Sequence, residues 1–416
     1  MGAIWAQVLG RPMGTVILKT ARQLRVAHVV PGIGARTGGP ASSVLATALA
    51  LSRSGVHAEV FTTDIGTAAS APHITRLRRE DVDGAIDFPI HIAHARQPLR
   101  LAYAPALRKE LARRAGDFDV IHIHSLFLYP QYAAFRVAYE RRIPYVVSPR
   151  GALDPYLRRR GRIRKAITDL VWQRQMLSHA AALHLTADKE LELIADVAPK
   201  VRRCVIPNPV DWREYVDLPD PRTFTGKYLV GQSPPIVMYL GRISRKKQID
   251  VLIAAFARIA PLHPNAALVI IGPDDEGLTP QLRRAATQLG ISSRTTFIGH
   301  LAGQDKRAAL AAATVWVLPS ATENFGVAAV EALAAGVPVI MSPGVNISAE
   351  LGELGACIVC EPEPEALATE ISALLEHPDR RFALATAGRR AARRFSPEIV
   401  AAQMISLYES VLRVGV

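Results

Sequence analysis

Two carboxylates, Glu323 and Glu331, lie eight residues apart where an apolar strand pattern gives way to a helix of small residues. The pattern predicts a strand over 314–319, a loop over 320–326 and a helix that begins at Val327. Glu323 would then lie just beyond the carboxyl end of a strand, where open α/β sheets bind ligands, and Glu331 about one turn into the following helix. The spacing predicts two acids that face one ligand from two heights.

The backbone between these acids is suited to an anionic ligand. The amides of Phe325, Gly326 and Val327 are predicted at the N-terminus of the helix, where free N–H groups and the helix dipole attract negative oxygens. Two glutamates at this spacing also occur on solvated helix faces. That alternative stays open on the spacing alone.

A glycine-rich turn over 31–40 follows the first predicted strand and opens a helix, a position at which backbone amides can bind phosphate. Thr37 stands where the dinucleotide-binding pattern G-x-G-x-x-G has its last glycine, and the turn contains no P-loop lysine. A dehydrogenase and a P-loop enzyme are therefore disfavoured. A plain strand-to-helix turn remains the alternative.

Polar residues also follow two strands of the first half. His124 ends the strand predicted over 119–124, and His122 points to the same face but deeper. A buried structural histidine is the alternative. The cations that could bind a phosphate group are Arg150, Arg158, Arg159 and Arg160. Asp154, near Arg150, could instead cap a helix.

Strand patterns alternate with helical patterns from residue 24 onwards, and the alternation restarts after the polar, proline-rich stretch 206–235. Such alternation predicts an α/β protein with two doubly wound, Rossmann-like parallel sheets. The predicted parts are a loose N-terminal extension over 1–23, a first domain over 24–210, a second domain over 211–396 and a C-terminal helix over 397–416. The hinge is expected near 208–235.

The size and composition suit a two-domain protein of the cytoplasm. With 416 residues, 49% of them hydrophobic, the chain can bury two cores of about 200 residues each. No stretch reaches the roughly 18 apolar residues of a spanning helix, and the run 1–9 lacks the charged start and cleavage site of a signal peptide. Three cysteines cannot form a disulfide framework, and Cys357 and Cys360 are interpreted as packing residues.

The net charge of +13 is confined to the first half of the chain. Residues 1–210 contain 30 Lys and Arg against 16 Asp and Glu, whereas the remainder contains 20 against 21. Such a basic surface could bind nucleic acid, a membrane or an anionic substrate, or it could be a solvated surface without a partner. Because aromatic residues are 6% of the chain and do not interleave with the basic ones, nucleic acid is disfavoured. A basic cluster over 158–165 favours the anionic inner face of the plasma membrane.

The chain resembles the retaining glycosyltransferases of family 4, which have the two-domain GT-B fold. The resemblance implies that the two domains face a cleft and that the helix over 397–416 crosses back onto the first domain. The resemblance covers 24–412 and depends on motifs in the family's order, each at a strand end. They are the glycine pair Gly38-Gly39, the strand-end His124, the G-R-x4-K pattern from Arg242 to Lys247, and the E-x7-E pattern from Glu323 to Glu331 with its Asn-Phe-Gly insertion. The run 148–156 further resembles a subgroup of exopolysaccharide transferases. Two departures stand where the family has glycine, namely Gln248 and Pro209 in the hinge motif.

The resemblance implies a role for each motif. Arg242 and Lys247 would neutralise the leaving diphosphate, whose negative charge grows as the glycosidic bond breaks. Glu323 and His124 would contact the donor sugar, and Glu331 the ribose of the nucleotide. The remaining donor-binding residues would be Gly38, Gly39, Asn324, Phe325, Gly326 and Val327. No metal site is evident, and neither a metal nor another cofactor is expected.

The function implied is the transfer of a hexose, with retention, from GDP-mannose or a UDP-hexose to a sugar acceptor in polysaccharide assembly. A polyprenyl-diphosphate-linked acceptor would explain the basic first domain, and Arg150, Arg158, Arg159 and Arg160 would bind its phosphates. A sugar-nucleotide epimerase or a phosphorylase of the same fold is the enzymatic alternative, although no pyridoxal-bearing lysine motif stands out. A basic protein that binds nucleic acid or membranes without catalysis is the other alternative.

Overall fold

A computed structural model describes residues 23–34, 39–66, 88–158, 162–229 and 234–414. The strands of these residues form two separate sheets, of seven and six strands, and every neighbouring pair of strands is parallel. We call the part built on the seven-stranded sheet the first domain and the part built on the six-stranded sheet the second domain. The prediction of two doubly wound α/β domains is confirmed.

The first sheet has the order β3-β2-β1-β4-β5-β6-β7. Its strands are β1 Arg25–Val29, β2 His57–Thr63, β3 Ile90–Ala93, β4 Val120–His124, β5 Tyr145–Ser148, β6 Ala182–Leu185 and β7 Arg203–Val205. The strand order reverses between β1 and β4, which makes the carboxyl ends of these two strands the expected ligand edge. His28 and His122 are register partners on these strands, so sequence-distant histidines are brought together.

The second sheet has the order β10-β9-β8-β11-β12-β13 and reverses between β8 and β11. Its strands are β8 Ile236–Leu240, β9 Ala267–Ile271, β10 Thr295–Ile298, β11 Val315–Leu318, β12 Val339–Met341 and β13 Ile358–Val359. The segments after β8 and β11 are those that contain Arg242 and Glu323. The fold therefore brings these two segments to the reversal point of the second sheet.

Helices cover both faces of each sheet. They are α1 Gly39–Arg53, α2 Pro105–Arg114, α3 Tyr129–Arg141, α4 Pro155–Arg158, α5 Arg162–Thr168, α6 Arg174–Ser178, α7 Asp188–Leu193, α8 Pro221–Tyr228, α9 Ile249–Ile259, α10 Thr279–Gln288, α11 Gly303–Ala312, α12 Val327–Ala335, α13 Ser348–Glu353, α14 Pro364–Glu376, α15 Pro378–Ala392 and α16 Pro397–Val414. A π-helical segment, Asp169–Gln173, joins α5 to α6. Six 3-10 turns complete the described elements: Leu99–Leu101, Ala115–Asp117, Trp212–Tyr215, Arg245–Lys247, Ser292–Arg294 and Arg393–Phe395.

Alternating side chains of the first sheet enter two different cores. Ala27, Ile121 and Val147 pack in the core that contains α3, whereas Val26 and Val120 pack in the core that contains α1. Successive residues of a strand point to opposite faces, so a buried parallel strand must be apolar on both. This explains why the strands appear in the sequence as continuous apolar runs rather than as alternating ones.

The C-terminal helix α16 packs on the first domain. Each of its buried residues lies three or four positions from another along the chain, which places them on one face of the helix: Val400, Ala401, Met404, Leu407, Tyr408 and Val411. These residues share a core with Val26 of β1 and Val44 of α1. Just before this helix, the Phe395 carbonyl accepts a hydrogen bond of 2.8 Å from the Val210 amide. The chain thus passes between the two domains twice at one place.

The proline-rich stretch 206–235 is more structured than a simple hinge. It contains the turn Trp212–Tyr215 and the helix α8, which packs against α11 of the second domain. Asp220 caps α8 through a 2.8 Å hydrogen bond from the Arg222 amide, and Phe224 is buried in the second core. The polar composition concealed this helix because its cap and prolines resemble loop residues. Among the helices of the described residues, none is long and apolar enough to cross a bilayer.

Candidate active site

Glu323 lies in the loop after β11, and its backbone is fixed on both sides. The Glu323 amide donates to the Gly344 carbonyl at 2.8 Å, and the Glu323 carbonyl accepts from the Asn346 amide at 2.9 Å. Gly344 is required where the two loops meet, because a Cβ there would lie 2.4 Å from the Ser320 carbonyl oxygen. The acid is therefore presented from a rigid pair of loops at the carboxyl edge of the second sheet.

The carboxylate of Glu323 is surrounded by cations. Lys247 Nζ makes an ion pair with Glu323 Oε2, and Lys246 Nζ lies 3.5 Å from the same oxygen. Burial favours the neutral acid, but the charges of Lys247 and Lys246 outweigh it and lower the pKa of Glu323 to about 2. Burial lowers the pKa of Lys247, whereas Glu323 opposes this change. Near neutral pH Glu323 is therefore a charged carboxylate, and Lys247 and Lys246 both contact its Oε2.

Arg242 stands beside this cluster at the end of β8. Its Nη1 lies 3.6 Å from Asp275 Oδ2, and its carbonyl accepts a 2.7 Å hydrogen bond from the buried Tyr239 hydroxyl. The guanidinium remains 39% exposed, so a ligand in the cleft can reach it. Gln248, which stands where glycine was expected from the resemblance, adopts φ +50°. The sequence departs from glycine at a position whose backbone is still left-handed.

Glu331 lies on α12, one turn after Val327 as the sequence predicted. Its Oε1 accepts a 2.9 Å hydrogen bond from Lys306 Nζ on α11. Burial, the charges of Glu331 and Glu214, and a hydrogen bond to Glu331 together raise the pKa of Tyr215. The acid is mostly buried among these groups and retains 14% exposure. A ligand hydroxyl that approaches Glu331 would join this existing network.

The start of α12 has the geometry expected of an anion site. Gly326 precedes the helix with φ +82°, and Val327 is the first helical residue. Phe325 is buried and packs edge-on against Phe395 with ring centroids 5.5 Å apart, which anchors the loop. In the first domain, Gly39 is the first residue of α1, whereas Gly38 lies outside the described residues.

Four buried histidines occupy the α1 face of the first sheet, and their hydrogen bonds fix every tautomer. His184 Nε2 donates to the Ile206 carbonyl at 2.8 Å, so its Nδ1 is the acceptor nitrogen. This Nδ1 accepts from His122 Nε2 at 3.3 Å. His122 Nδ1 must then accept in turn, and its donor is the Tyr408 hydroxyl at 2.8 Å. This chain connects α16 to the segment that leads into the hinge.

His124 belongs to a second chain of the same kind. Arg150 Nε donates to His124 Nδ1 at 3.2 Å, so His124 Nε2 carries the proton and donates to His28 Nδ1 at 3.0 Å. Burial and the nearby Arg150 lower the pKa of His28 to about 3 and the pKa of His124 well below its usual value. Both ring nitrogens of His124 are occupied, so a sugar contact through either nitrogen requires one of these bonds to open.

Three of the four buried histidines form the group that most resembles a metal site in the described part of the chain. Ligand atoms of His28, His122 and His124 all lie within 4.8 Å of one another. The Arg150 guanidinium is bonded directly to His124, and its positive charge opposes a divalent cation there. Electrostatics therefore favour the neutral hydrogen-bonded cluster over a metal centre.

Arg150 is buried rather than exposed on the acceptor side of the cleft. Its Nη1 donates to Ser43 Oγ and to Asn208 Oδ1, both at 2.7 Å, and so joins α1 to the hinge motif. Burial lowers the pKa of Arg150 to about 10. Arg158 is the last residue of α4, while Arg159 and Arg160 lie outside the described residues.

Two hydrogen bonds join the Glu323 loop to the first domain. Thr322 Oγ1 donates to Asp154 Oδ2 at 2.8 Å, and Asn324 Nδ2 donates to Thr186 Oγ1 at 2.7 Å. Asp154 also accepts from the Tyr156 amide at 2.7 Å and thus caps α4, as the sequence allowed. Thr186 has no motif around it, and the sequence offered no signal for its position in the cleft.

Two family models match the chain and together cover most of it. The model described as Glycosyl transferase 4-like domain matches residues 38–209, and the model described as Glycosyl transferases group 1 matches residues 222–391. A phosphatidyl-myo-inositol mannosyltransferase of Mycobacterium leprae is 28% identical over 334 residues, which are 76% of this chain and 80% of that protein.

Solved structures share the fold. Sucrose-phosphate synthase from Thermosynechococcus elongatus superposes with a TM-score of 0.77 at 21% identity and covers 94% of this chain and 100% of its own. HepE from Anabaena, solved in complex with UDP and glucose, gives a TM-score of 0.72 at 20% identity, with 93% and 100% covered. These matches agree with the motifs and with the two facing sheets. The chain therefore belongs to the group 1 glycosyltransferases of the family 4 type, which have the GT-B fold.

Proposed function

We propose that this glycosyltransferase is retaining and metal-independent, and that it transfers a hexose from GDP-mannose or a UDP-hexose to a lipid-linked sugar in polysaccharide assembly. The observation that supports this most is the cluster of Arg242, Lys246 and Lys247 around Glu323 at the reversal point of the second sheet. Fixed cations beside a carboxylate suit a donor whose leaving group is a diphosphate. The names of the relatives are consistent with a mannosyl or glucosyl donor.

In this proposal the second domain holds the donor and the first domain the acceptor. Arg242 and Lys247 bind the diphosphate, the amides after Phe325 receive anionic oxygens, Glu323 contacts the sugar and Glu331 the ribose. The first domain spans 24–210 and the second 211–396, with α16 returning to the first. Since no carboxylate is assigned as a covalent nucleophile, the chemistry differs from that of retaining glycosidases.

The mechanism follows from charge placement. As the glycosidic bond breaks, negative charge develops on the diphosphate and is stabilised by Arg242 and Lys247, while positive charge on the sugar is stabilised by Glu323. A donor phosphate oxygen then lies on the same face as the incoming acceptor hydroxyl and accepts its proton. The new bond forms on the face from which the nucleotide leaves, and the configuration is retained.

Nucleotide binding tests the assignment of the two carboxylates. Glu331→Gln is expected to weaken binding of both the free nucleotide and the nucleotide sugar, because a charge-assisted hydrogen bond becomes a neutral one. Glu323→Gln is expected to weaken only the nucleotide sugar. Calorimetry with UDP, GDP and their hexose derivatives measures both effects, and the exposed Glu353→Gln is the matched control. The reverse order of effects would show that the two roles are exchanged.

An anionic membrane surface is the proposed partner of the first domain. The helical segment from α5 to α6 buries Met176 and Leu177, whereas Ile167, Leu170 and Val171 are 58, 80 and 67% exposed. This apolar face follows the basic run 158–165 in the sequence. A helix with one apolar face beside basic residues is suited to lie in the interface of a bilayer.

Liposome sedimentation tests this partner. Binding is expected to rise with the fraction of anionic lipid and to fall with salt, because each basic residue near the surface contributes about 1 kcal/mol. Changing Arg158, Arg159 and Arg160 to Ser should therefore weaken binding by about a hundredfold at low salt. Changing Ile167, Leu170 and Val171 to Ser should remove the part of the liposome binding that persists at high salt.

A matched control for the apolar change is the double variant Leu262→Ser, Phe382→Ser, which removes equally exposed apolar side chains from the second domain. It is expected to bind liposomes as the unmodified protein does. If the protein ignores anionic liposomes at low salt but still glycosylates a soluble acceptor, the membrane part of the proposal is wrong.

A further inference from the structure

Glu190 is a buried acid that no sequence motif identifies. It lies on α7 in the first domain and is 2% exposed. Its Oε1 accepts from the Gly151 amide at 2.8 Å, and its Oε2 accepts from the Thr186 amide at 2.8 Å and from Thr186 Oγ1 at 3.1 Å. Burial raises the pKa of Glu190, and these donors oppose the change. One carboxylate thus ties together two segments, which follow β5 and β6 at the cleft.

Both of these segments contact the loop of the second domain that contains Glu323. Thr186 donates its only hydroxyl proton to Glu190, so its oxygen is left to accept from Asn324 Nδ2 at 2.7 Å. Gly151 provides the surface beneath Asn324, since a Cβ at Gly151 would lie 2.9 Å from Asn324 Cβ. Glu190 therefore determines the orientation of the hydroxyl and the position of the backbone that receive Asn324.

We propose that Glu190 is a positioning residue for glycosyl transfer. It organises the Gly151 and Thr186 segments into a receptor for Asn324, and this contact aligns the neighbouring Glu323 with the acceptor side of the cleft. The proposal depends on the proposed function, because it assigns Glu323 to the donor sugar. Two steps are then distinct. Binding of the nucleotide needs only the second domain, whereas alignment of the sugar for transfer needs the receptor for Asn324 in the first domain.

The consequence is a change in turnover without a change in nucleotide affinity. A glutamine at position 190 keeps the shape but has only one acceptor oxygen, so either the Gly151 amide or the Thr186 amide loses its partner. Glu190→Gln is expected to lower kcat at saturating donor at least tenfold and to change the Kd for UDP or GDP less than twofold. Glu192→Gln, on the exposed side of the same helix, should change neither quantity.

Thr186→Val keeps the Glu190 carboxylate and the shape of the side chain but removes the hydroxyl that accepts from Asn324. It therefore tests the same proposal if Glu190→Gln does not fold. It should show the same loss of kcat with unchanged nucleotide affinity. Unchanged kcat in a folded Glu190→Gln variant, or in Thr186→Val, would overturn the proposal, as would an equal loss of nucleotide affinity. If the unmodified protein binds no nucleotide, the proposed function itself fails, which is a separate result.

Discussion

Replacing Arg242 or Lys247 by alanine is expected to lower turnover at least tenfold in each case, which is about 1.4 kcal/mol of transition-state stabilisation. Each substitution removes a cation that the account places against the leaving diphosphate. The loss should be larger in kcat/KM than in nucleotide affinity, because the charge on the leaving group is greatest in the transition state. Initial rates of nucleoside diphosphate release measure the effect.

The two variants should differ in stability. Lys247 is buried in its ion pair with Glu323, and removing one partner of a buried pair costs on the order of 3 kcal/mol. Arg242 is more exposed, and its pair with Asp275 should contribute at most about 1 kcal/mol. In urea denaturation, the free energy of unfolding of Lys247→Ala should therefore be well below that of Arg242→Ala. Kinetics must be measured at a temperature where both remain folded.

Arg245→Ala is the matched control for this pair of variants. Arg245 lies on the same turn but is 67% exposed, with its nearest acid, Glu276, at 4.0 Å. It should keep the rate of the unmodified protein. Unchanged rates in Arg242→Ala or Lys247→Ala would contradict the assignment of the diphosphate site, and a loss in Arg245→Ala would mean that net charge, not position, matters.

The four buried histidines should make stability fall steeply below pH 6.5. Burial, with Arg150 nearby, lowers the pKa of His28 and His184 to about 3, and the pKa values of His122 and His124 are also lowered. Unfolding returns each group to a pKa near 6.5. Below that pH the unfolded chain binds more protons than the folded protein, so the stability is complete above pH 6.5 and decreases as the pH falls.

Each histidine can contribute up to about 1.4 kcal/mol per pH unit, so the free energy of unfolding should drop by about 5 kcal/mol between pH 7.5 and 5.5. Urea denaturation at several pH values measures the slope. Glu323 and Glu59, whose pKa values are lowered to about 2, affect stability only below about pH 4.5 and do not enter this range. Glu190 and Glu214, whose pKa values burial raises, act in the opposite direction, but the four histidines outnumber these two carboxyls and dominate the predicted slope.

One substitution tests the contribution of a single buried histidine. His184→Asn should reduce the proton uptake on unfolding by about one, whatever it does to the absolute stability. A stability that is flat between pH 7.5 and 5.5 would show that the cluster accepts protons in the folded state.

The sequence predicted the fold because both sheets are built from continuous apolar strands separated by helical patterns. It also located Glu331 one turn into a helix and the cations Arg242 and Lys247 after a strand, since these positions depend on local pattern alone. The helix α8 was missed because a cap and prolines look like a loop. Local pattern was sufficient where neighbours in sequence are neighbours in space.

Contacts between distant residues could not be predicted in this way. The two histidine chains depend on strand register between β1, β4 and β6, and on α16 returning to the first domain. The hydrogen bonds of Arg150 to Asn208 and His124 also depend on the fold, and its role toward an acceptor stays a prediction. Glu190 and Thr186 carry no motif, and their connection to Asn324 exists only when the two domains meet.

Donor consumption in the presence of EDTA is the most direct test of the central claim. The purified protein would be incubated with UDP-glucose, GDP-mannose or ADP-glucose and a lipid extract as acceptor, and nucleoside diphosphate and the product's anomeric signal would be followed by NMR. The account predicts release from UDP-glucose or GDP-mannose, with the donor's anomeric configuration kept, and at least a tenfold slower release in Arg242→Ala. No consumption of any donor, an inverted product, or unchanged release in that variant would contradict it.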